Sequence, residues 1–145
     1  MSNGTEVFTD SELAYLASQR LGRLATVTPS GSLQNSPVGF RVNVELGTID
    51  IHGFNLGKSK KFRNIRANHN VAFVVDDLAS TDPWTVRGVE IRGVAEALNG
   101  ATAPMAQMSD EVIRIHPRRI ISWGVDTGAK GMSGRDIIAG TNEAA

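Results

Sequence analysis

The feature that most constrains the fold is a run of short strand patterns joined by tight turns in the first third of the chain. Three such patterns lie at 24–27, 33–44 and 48–52, with turns at Pro29-Ser30-Gly31 and at 45–47 between them. Turns this short connect antiparallel neighbours, because a parallel pair needs a crossover of a dozen or more residues. The sequence therefore predicts an antiparallel meander here.

A basic segment at 58–68 interrupts the strand patterns and predicts a short helix, because Phe62 and Ile65 recur at helical spacing. Thr9 and Glu12 have the spacing of a capping box, which predicts another helix near the start. Further strand patterns lie at 71–75, 85–98, 112–115 and 120–125, the last two separated by His116-Pro117-Arg118-Arg119. Six or seven short strands with one inserted helix favour a mainly β fold with a closed antiparallel sheet.

The composition sets the domain count and excludes several classes of function. A chain of 145 residues suits one domain, predicted at 1–128, and the Gly- and Ala-rich end at 129–145 is predicted to be a flexible tail. Fifteen basic and fifteen acidic residues balance, so no overall field would attract nucleic acid or anionic lipid. The absence of cysteine excludes disulfides, thiolate metal sites and a cysteine nucleophile. No segment has the roughly 18 apolar residues of a membrane span, and a cytoplasmic location is expected.

The densest group of candidate binding residues is Gly57-Lys58-Ser59-Lys60-Lys61, where strand gives way to helix. Free backbone N–H groups and the positive end of the helix dipole meet at such a position, and a serine hydroxyl and lysine charges add to them. The cluster therefore predicts a phosphate-binding site. An ordinary solvated helix start, with Ser59 only as its N-cap, fits the same spacing and stays open.

A nucleotide-binding P-loop is a rival for this segment, since residues 53–59 read GFNLGKS. Only three residues separate Gly53 from Gly57, whereas the loop needs four between its glycines to wrap a phosphate. The hairpin pattern also lacks the βαβ units of that fold. The spacing excludes the P-loop.

The remaining polar residues indicate no catalytic group or metal site of their own. His52, His69 and His116 share no ligand spacing. Trp84 and Trp123 could stack on a cofactor or close an interface. A phosphate site without a nucleophile or metal cluster favours redox chemistry supplied by a bound cofactor.

Five stretches carry a resemblance to a known family: Leu21-Gly22-Arg23-Leu24-Ala25-Thr26-Val27, Ser36-Pro37-Val38-Gly39-Phe40, Asn55-Leu56-Gly57, Ser59-Lys60-Lys61 and Val71 to Val75. Together they resemble the split-barrel family typified by pyridoxamine 5'-phosphate oxidase. Within that family, Tyr15-Leu16-Ala17, Asp82-Pro83-Trp84 and the segment from Ile113 to Gly124 resemble the actinobacterial reductases that use the deazaflavin coenzyme F420, typified by a tetracycline-biosynthesis reductase. The resemblance implies a six- to seven-stranded antiparallel split β-barrel and a homodimer.

The same resemblance implies the cofactor-binding residues. Ser59 and Lys61 would contact the phosphate, with Lys58 and Lys60 adjacent. The remaining implied residues are Ser36, Pro37, Val38 and Gly39 along the ring system, His52 and Gly53 in the same groove, and Trp84 and Arg87 from this subunit or its partner. One extra residue before Ser59, relative to the oxidase pattern, leaves open which lysine holds the phosphate.

Three functions remain open at this stage. The first is an F420-dependent reductase that passes a hydride to an electron-poor organic acceptor, in which Arg20, Arg23, Arg41, Lys60 and Arg63 would attract an anionic cofactor tail. The second is an FMN-dependent oxidoreductase on the same fold. The third is a non-catalytic carrier of a flavin or deazaflavin.

Overall fold

The computed structural model describes residues 7–126 and 131–138, and within these residues the protein is mainly β. Its helices are α1 (Asp10–Ala17), a single 3-10 turn (Leu56–Lys58) and α2 (Lys60–Ala67). Its strands are β1 (Leu21–Val27), β2 (Leu33–Gly39), β3 (Arg41–Asn43), β4 (Thr48–Ile51), β5 (Asn70–Thr81), β6 (Trp84–Leu98), β7 (Val112–Trp123) and β8 (Met132–Asp136). The predicted mainly β fold is confirmed.

The sheet is an antiparallel split barrel whose two edges are formed by one bent segment of chain. The strand order is β2-β1-β5-β6-β7-β4-β3, with β8 paired to β7. Strands β2 and β3 stand at opposite edges, yet only Phe40 separates them in sequence. Three consecutive residues span at most about 7 Å, so the sheet must curl until its edges meet. At Phe40 the chain passes from β2, which pairs with β1, to β3, which pairs with β4. The two edges of the sheet are therefore neighbours at Phe40 but are not hydrogen-bonded to each other, and we call this gap the seam.

The core fills the inside of this curled sheet. Burial alternates along β5, where Val71, Phe73 and Val75 are buried and Ala72 and Val74 are only half-buried. Gly22 on β1 must be glycine, since a Cβ there would lie 2.3 Å from the ring of Phe73. Helix α2 closes one end of the barrel with the buried side chain of Phe62.

The predicted break in the last strand pair is wrong, because β7 runs unbroken through Pro117. Proline lacks the N–H that a regular ladder needs, and it is tolerated in sheets at bulges. Here the register between β6 and β7 shifts at Gly93, which faces Pro117, so Arg118 is the extra residue. A Cβ on Gly93 would lie 2.1 Å from the carbonyl oxygen of His116.

The prediction of a flexible tail from residue 129 is wrong for Met132–Asp136, which form β8 against Arg119–Trp123 of β7. Composition did not reveal this strand, because it pairs with β7 and is anchored by an ion pair to a residue at the other end of the chain. Arg135 donates to both carboxylate oxygens of buried Glu12 at 2.7 Å and also to the carbonyl of Val7. The rest of the predicted tail, 129–130 and 139–145, lies outside the described residues.

Candidate cofactor-binding cleft

A cleft of about 670 Å³ lies at the seam between β2 and β3, which is within the usual size of a cofactor site. The end of β4, the 3-10 turn and the start of α2 form its other walls. Its lining residues are Gln19, Arg20, Pro37, Val38, Gly39, Phe40, Arg41, Asp50, Ile51, His52, Gly53, Phe54, Leu56, Ser59, Lys61, Pro104 and Met108. The fold thus opens a large cleft beside the predicted phosphate site.

The structure brings most of the predicted cofactor-binding residues to this cleft. Those that line it are Pro37, Val38, Gly39, His52, Gly53, Ser59 and Lys61. Those that do not line it are Ser36, Lys58, Lys60, Trp84 and Arg87. Ser36, Lys58 and Lys60 are sequence neighbours of residues that line the cleft, whereas Trp84 and Arg87 lie on the distant strand β6.

The start of α2 supplies the anion-binding end of the cleft. Ser59 is the N-cap of α2, and its hydroxyl accepts from the Phe62 N–H at 3.3 Å and donates to the Leu56 carbonyl at 2.6 Å. Among the described residues, the N–H groups of Lys60 and Lys61 have no hydrogen-bond partner. Free N–H groups at a helix start attract anions. The N-cap interpretation and the phosphate site are therefore compatible.

The lysines of the basic cluster face different parts of the surface. Lys61 lines the cleft, whereas Lys58 lines a separate pocket of about 240 Å³ with Glu111. Glu111 accepts a hydrogen bond from the Gly57 N–H at 3.2 Å, and hydrogen bonds from Ser109 and Gly57 lower its pKa. An ionised carboxylate thus stands beside Lys58, and an anionic cofactor is better placed at Lys61.

His52 stands in the wall of the cleft directly after β4. Burial lowers the pKa of His52, and the nearby charges of Arg41 and Arg114 lower it further against the opposing effect of Asp50. The imidazole is therefore neutral at pH 7. Its Nδ1 is buried without a hydrogen-bond partner among the described residues, and so is the Ser36 hydroxyl on β2.

Asp50 lines the cleft and connects the strand β4 to its neighbour β7. Burial opposes ionisation of this carboxylate, but hydrogen bonds from Arg114, Asn43 and Thr48 outweigh it and lower its pKa. Arg114 donates two parallel hydrogen bonds at 3.0 and 3.1 Å, which is the bidentate geometry that arginine favours. The carboxylate ties β4 to β7 and stays charged.

Trp84 and Arg87 lie away from the cleft of their own chain. Trp84 stands at the turn between β5 and β6 and is 69% exposed. Arg87 makes a bidentate pair with Asp77 at 2.7 and 3.0 Å, and its guanidinium lies 5.2 Å from the centre of the Tyr15 ring. A role for either residue at a cofactor would require a second subunit.

Sequence reasoning missed several cleft residues that only the closure of the sheet brings together. Gln19, Phe54 and Met108 come from three separate loops and carry no motif. Arg20 and Arg41 were considered only as general positive charge. The sequence carried no signal for Arg41, because the single strand pattern at 33–44 is divided at Phe40 only in the structure.

The described part of the chain holds no group of histidine, aspartate or glutamate side chains able to bind a metal ion. Its helices include none long and apolar enough to cross a membrane.

Comparison with known proteins gives consistent matches. The family model described as pyridoxamine 5'-phosphate oxidase matches residues 8–143. Over 134 residues the chain is 48% identical to the 5a,11a-dehydrotetracycline/5a,11a-dehydrooxytetracycline reductase of Streptomyces rimosus, covering 91% of this chain and 94% of that protein.

Two solved structures are also similar. A protein of Mycobacterium tuberculosis matches with a TM-score of 0.63 and 26% identity, over 93% of this chain and 94% of its own. A structure described as an F420 reductase matches with a TM-score of 0.54 and 27% identity, over 70% of this chain and 88% of its own. These matches support an oxidoreductase with a flavin or deazaflavin cofactor, and the chain belongs to the pyridoxamine 5'-phosphate oxidase family.

Proposed function

We propose that the protein is a reductase that uses reduced F420 to transfer a hydride to an electron-poor organic acceptor. The observation that carries the proposal is a large cleft with an anion-binding end whose cations are not neutralised. Among the described residues, Arg20, Arg41 and Lys61 line the cleft and none of them forms an ion pair. The similarity to a dehydrotetracycline reductase and to an F420 reductase supports it.

The residues present fit a phosphate-bearing ring cofactor. The N–H groups of Lys60 and Lys61 and the Lys61 ammonium would hold the phosphate. The β2 residues from Pro37 to Gly39 would lie along the ring system, and nothing stands within 4 Å of the position of a Cβ on Gly39. The cofactor supplies the hydride when bound. The chain itself binds and orients both reactants.

His52 is suited to orient the acceptor. With Nδ1 buried and unpartnered, we assign the proton of the neutral ring to Nε2, since a stranded buried donor costs more than a stranded acceptor. The Nε2–H can then donate to a carbonyl oxygen and polarise it. In an enone, this polarisation would favour addition of the hydride that the cofactor supplies at the carbon β to the carbonyl, and a proton from solvent at the α carbon would complete the two-electron reduction.

The choice of F420 over FMN rests on the positive charge of the cleft. Of the five cations expected to attract an anionic tail, Arg20 and Arg41 line the cleft. Arg23 instead pairs with Asp76 at 2.9 Å, and Arg63 donates to the Lys58 carbonyl. FMN-dependent oxidation and a non-catalytic carrier remain the second and third candidates, because catalysis here requires no reactive side chain.

The deciding experiment is a pair of fluorescence titrations of the purified protein with F420 and with FMN. The expected result is tighter binding of F420, followed by oxidation of reduced F420 when 5a,11a-dehydrotetracycline is added. Tighter binding of FMN would favour the FMN-dependent candidate. Binding of F420 without oxidation across a panel of enone acceptors would favour the carrier.

We also propose that the protein is a cytoplasmic homodimer. Val86, Trp123 and Met132 line one hollow near the turn that carries Trp84, and Met132 is 71% exposed. Exposed apolar side chains grouped in this way typify an interaction surface. Light scattering at micromolar concentration should give the mass of two chains, and a monomer in the presence of cofactor would refute the dimer.

A further inference from the structure

We infer that a second chamber beside the cofactor cleft binds the acceptor and selects acceptors that carry a negative charge. This inference rests on the proposed function. The chamber has a volume of about 370 Å³, and it shares Arg41, Asp50 and His52 with the cleft. The chamber and the cleft are therefore adjacent, with the His52 ring in the wall that they share.

The chamber carries one unneutralised positive charge. Its charged lining residues are Arg41, Arg114 and Asp50. Asp50 neutralises Arg114 through their bidentate pair, whereas Arg41 has no ion-pair partner among the described residues. The Asp50 carboxylate accepts hydrogen bonds from Arg114, Asn43 and Thr48, so its oxygens are already occupied. The cation left to meet a ligand in the chamber is Arg41, which leaves Arg20 and Lys61 in the cleft for the anionic groups of the cofactor.

The other walls of the chamber suit a partly apolar organic molecule. Leu98, Ala101 and Val112 provide apolar surface, and Asn99 and Thr102 provide polar side chains that make no hydrogen bond within the described residues. A guanidinium prefers a carboxylate or another delocalised anion. The ligand class is therefore an electron-poor enone that also carries an ionised enol or a carboxylate, with the anion at Arg41 and the double bond toward the cleft.

The test measures binding of 5a,11a-dehydrooxytetracycline by calorimetry, to the free protein and to the protein loaded with F420. Arg41→Gln should raise its dissociation constant about tenfold or more, because one charge-assisted hydrogen bond is lost. Thr102→Trp should fill the chamber and abolish binding of the probe, while the dissociation constant for F420 stays that of the parent. Thr102→Ser should bind both as the parent does.

A matched control removes an exposed charge elsewhere. Arg23→Gln on β1 should leave probe binding unchanged, because Arg23 lies outside the chamber. The neutral enone cyclohex-2-enone should bind equally to the parent and to Arg41→Gln. Probe binding equal to the parent in both Arg41→Gln and Thr102→Trp, or no binding to either form of the parent, would overturn the inference. Failure to reduce a bound probe would instead count against the proposed function.

Discussion

Two polar regions of this molecule differ in whether their groups find partners within the chain. The hairpin cluster, formed by Tyr15, Asp77 and Arg87 on α1, β5 and β6, is internally satisfied. The Tyr15 hydroxyl donates to Asp77 at 2.9 Å, and Arg87 donates to both oxygens of the same carboxylate. Burial raises the pKa of Tyr15, and the hydrogen bond to Asp77 raises it further. The cluster joins a helix to a hairpin and leaves little capacity for a ligand.

The cofactor cleft has the opposite arrangement. Lys61 and Arg41 line it without an ion pair, and His52 Nδ1 and the Ser36 hydroxyl are buried without partners among the described residues. Such groups cost folding stability in the free protein, and a ligand that pairs with them recovers that cost. The contrast indicates that paired groups hold the fold, whereas unpaired ones mark the binding site.

The largest expected effect comes from a substitution that removes one partner of a buried ion pair. Arg135→Ala leaves the Glu12 carboxylate, which is 1% exposed, without its partner, and breaking such a pair costs about 3–5 kcal/mol. For a chain of this size the melting temperature should fall by about 10–20 °C in a thermal scan. Removal of residues 131–145 should be at least as damaging.

The matched control for that variant is Asp136→Ala on the same strand. Its pair with Arg119 is exposed, and loss of a surface ion pair costs about 0–1 kcal/mol. If Arg135→Ala has the same melting temperature as Asp136→Ala and the parent, the ion pair between Arg135 and Glu12 does not hold β8 in place.

The second prediction tests the unpaired side of the comparison. Lys61→Ala removes a charge from the anion-binding end of the cleft, and a charge-assisted hydrogen bond to phosphate contributes roughly 1.5–3 kcal/mol. The dissociation constant for F420, followed by fluorescence, should rise about ten- to a hundredfold. The melting temperature of the free protein should stay within a few degrees of the parent, since the half-buried Lys61 side chain forms no ion pair in the described residues and such substitutions change little.

Lys58→Ala is the comparison that assigns the phosphate to one lysine. Lys58 belongs to the pocket of Glu111 rather than to the cleft, so this variant should bind F420 nearly as the parent does. A larger loss in Lys58→Ala than in Lys61→Ala would reverse the assignment. If both variants bind F420 as tightly as the parent does, the basic cluster is only a solvated helix start and does not bind the phosphate.

The third prediction uses the acid response of the hairpin cluster. The hydrogen bond from Arg87 lowers the pKa of Asp77 below its ordinary value of 3.8. A lowered pKa contributes stability above the ordinary value, and that contribution is lost as the pH falls through the folded value. Between about pH 5 and pH 2, the free energy of unfolding measured with urea should therefore fall more steeply for the parent than for Asp77→Asn. Parallel pH profiles would show that the pair contributes nothing.

Sequence reasoning predicted local features well and long-range pairing poorly. The Thr9 capping box and the α2 start at Ser59 follow from neighbouring residues, and the structure confirms them. The partner of Arg87 was not predictable, because Asp77 meets it only through the register of two strands. Likewise β8 was missed because Glu12, its anchor, lies at the other end of the chain.

The site shows the same division. Ser59 and Lys61 were found because a helix start places its binding groups within one turn of sequence. Arg41 was not singled out, since its place in both the cleft and the chamber depends on the curl that carries the chain from one sheet edge to the other. Residues that a fold gathers from distant strands leave no spacing for sequence reasoning to detect.

The smallest expected effect compares two buried hydroxyls on neighbouring strands. The Thr26 hydroxyl on β1 donates to Gln34 at 3.1 Å and accepts from buried Asn64 at 3.0 Å, whereas the Ser36 hydroxyl on β2 has no partner in the described structure. Thr26→Val should lower the free energy of unfolding by about 1–3 kcal/mol, because the Asn64 amide is left buried and unsatisfied. Ser36→Ala removes an unsatisfied group instead, so the free protein should be unchanged or more stable by up to about 1 kcal/mol. Urea unfolding measures both. If the Ser36 hydroxyl contacts the cofactor, as the resemblance implies, Ser36→Ala should also bind F420 several-fold more weakly. If Ser36→Ala instead destabilises the free protein, the hydroxyl is paired in solution and stabilises the fold rather than the bound cofactor.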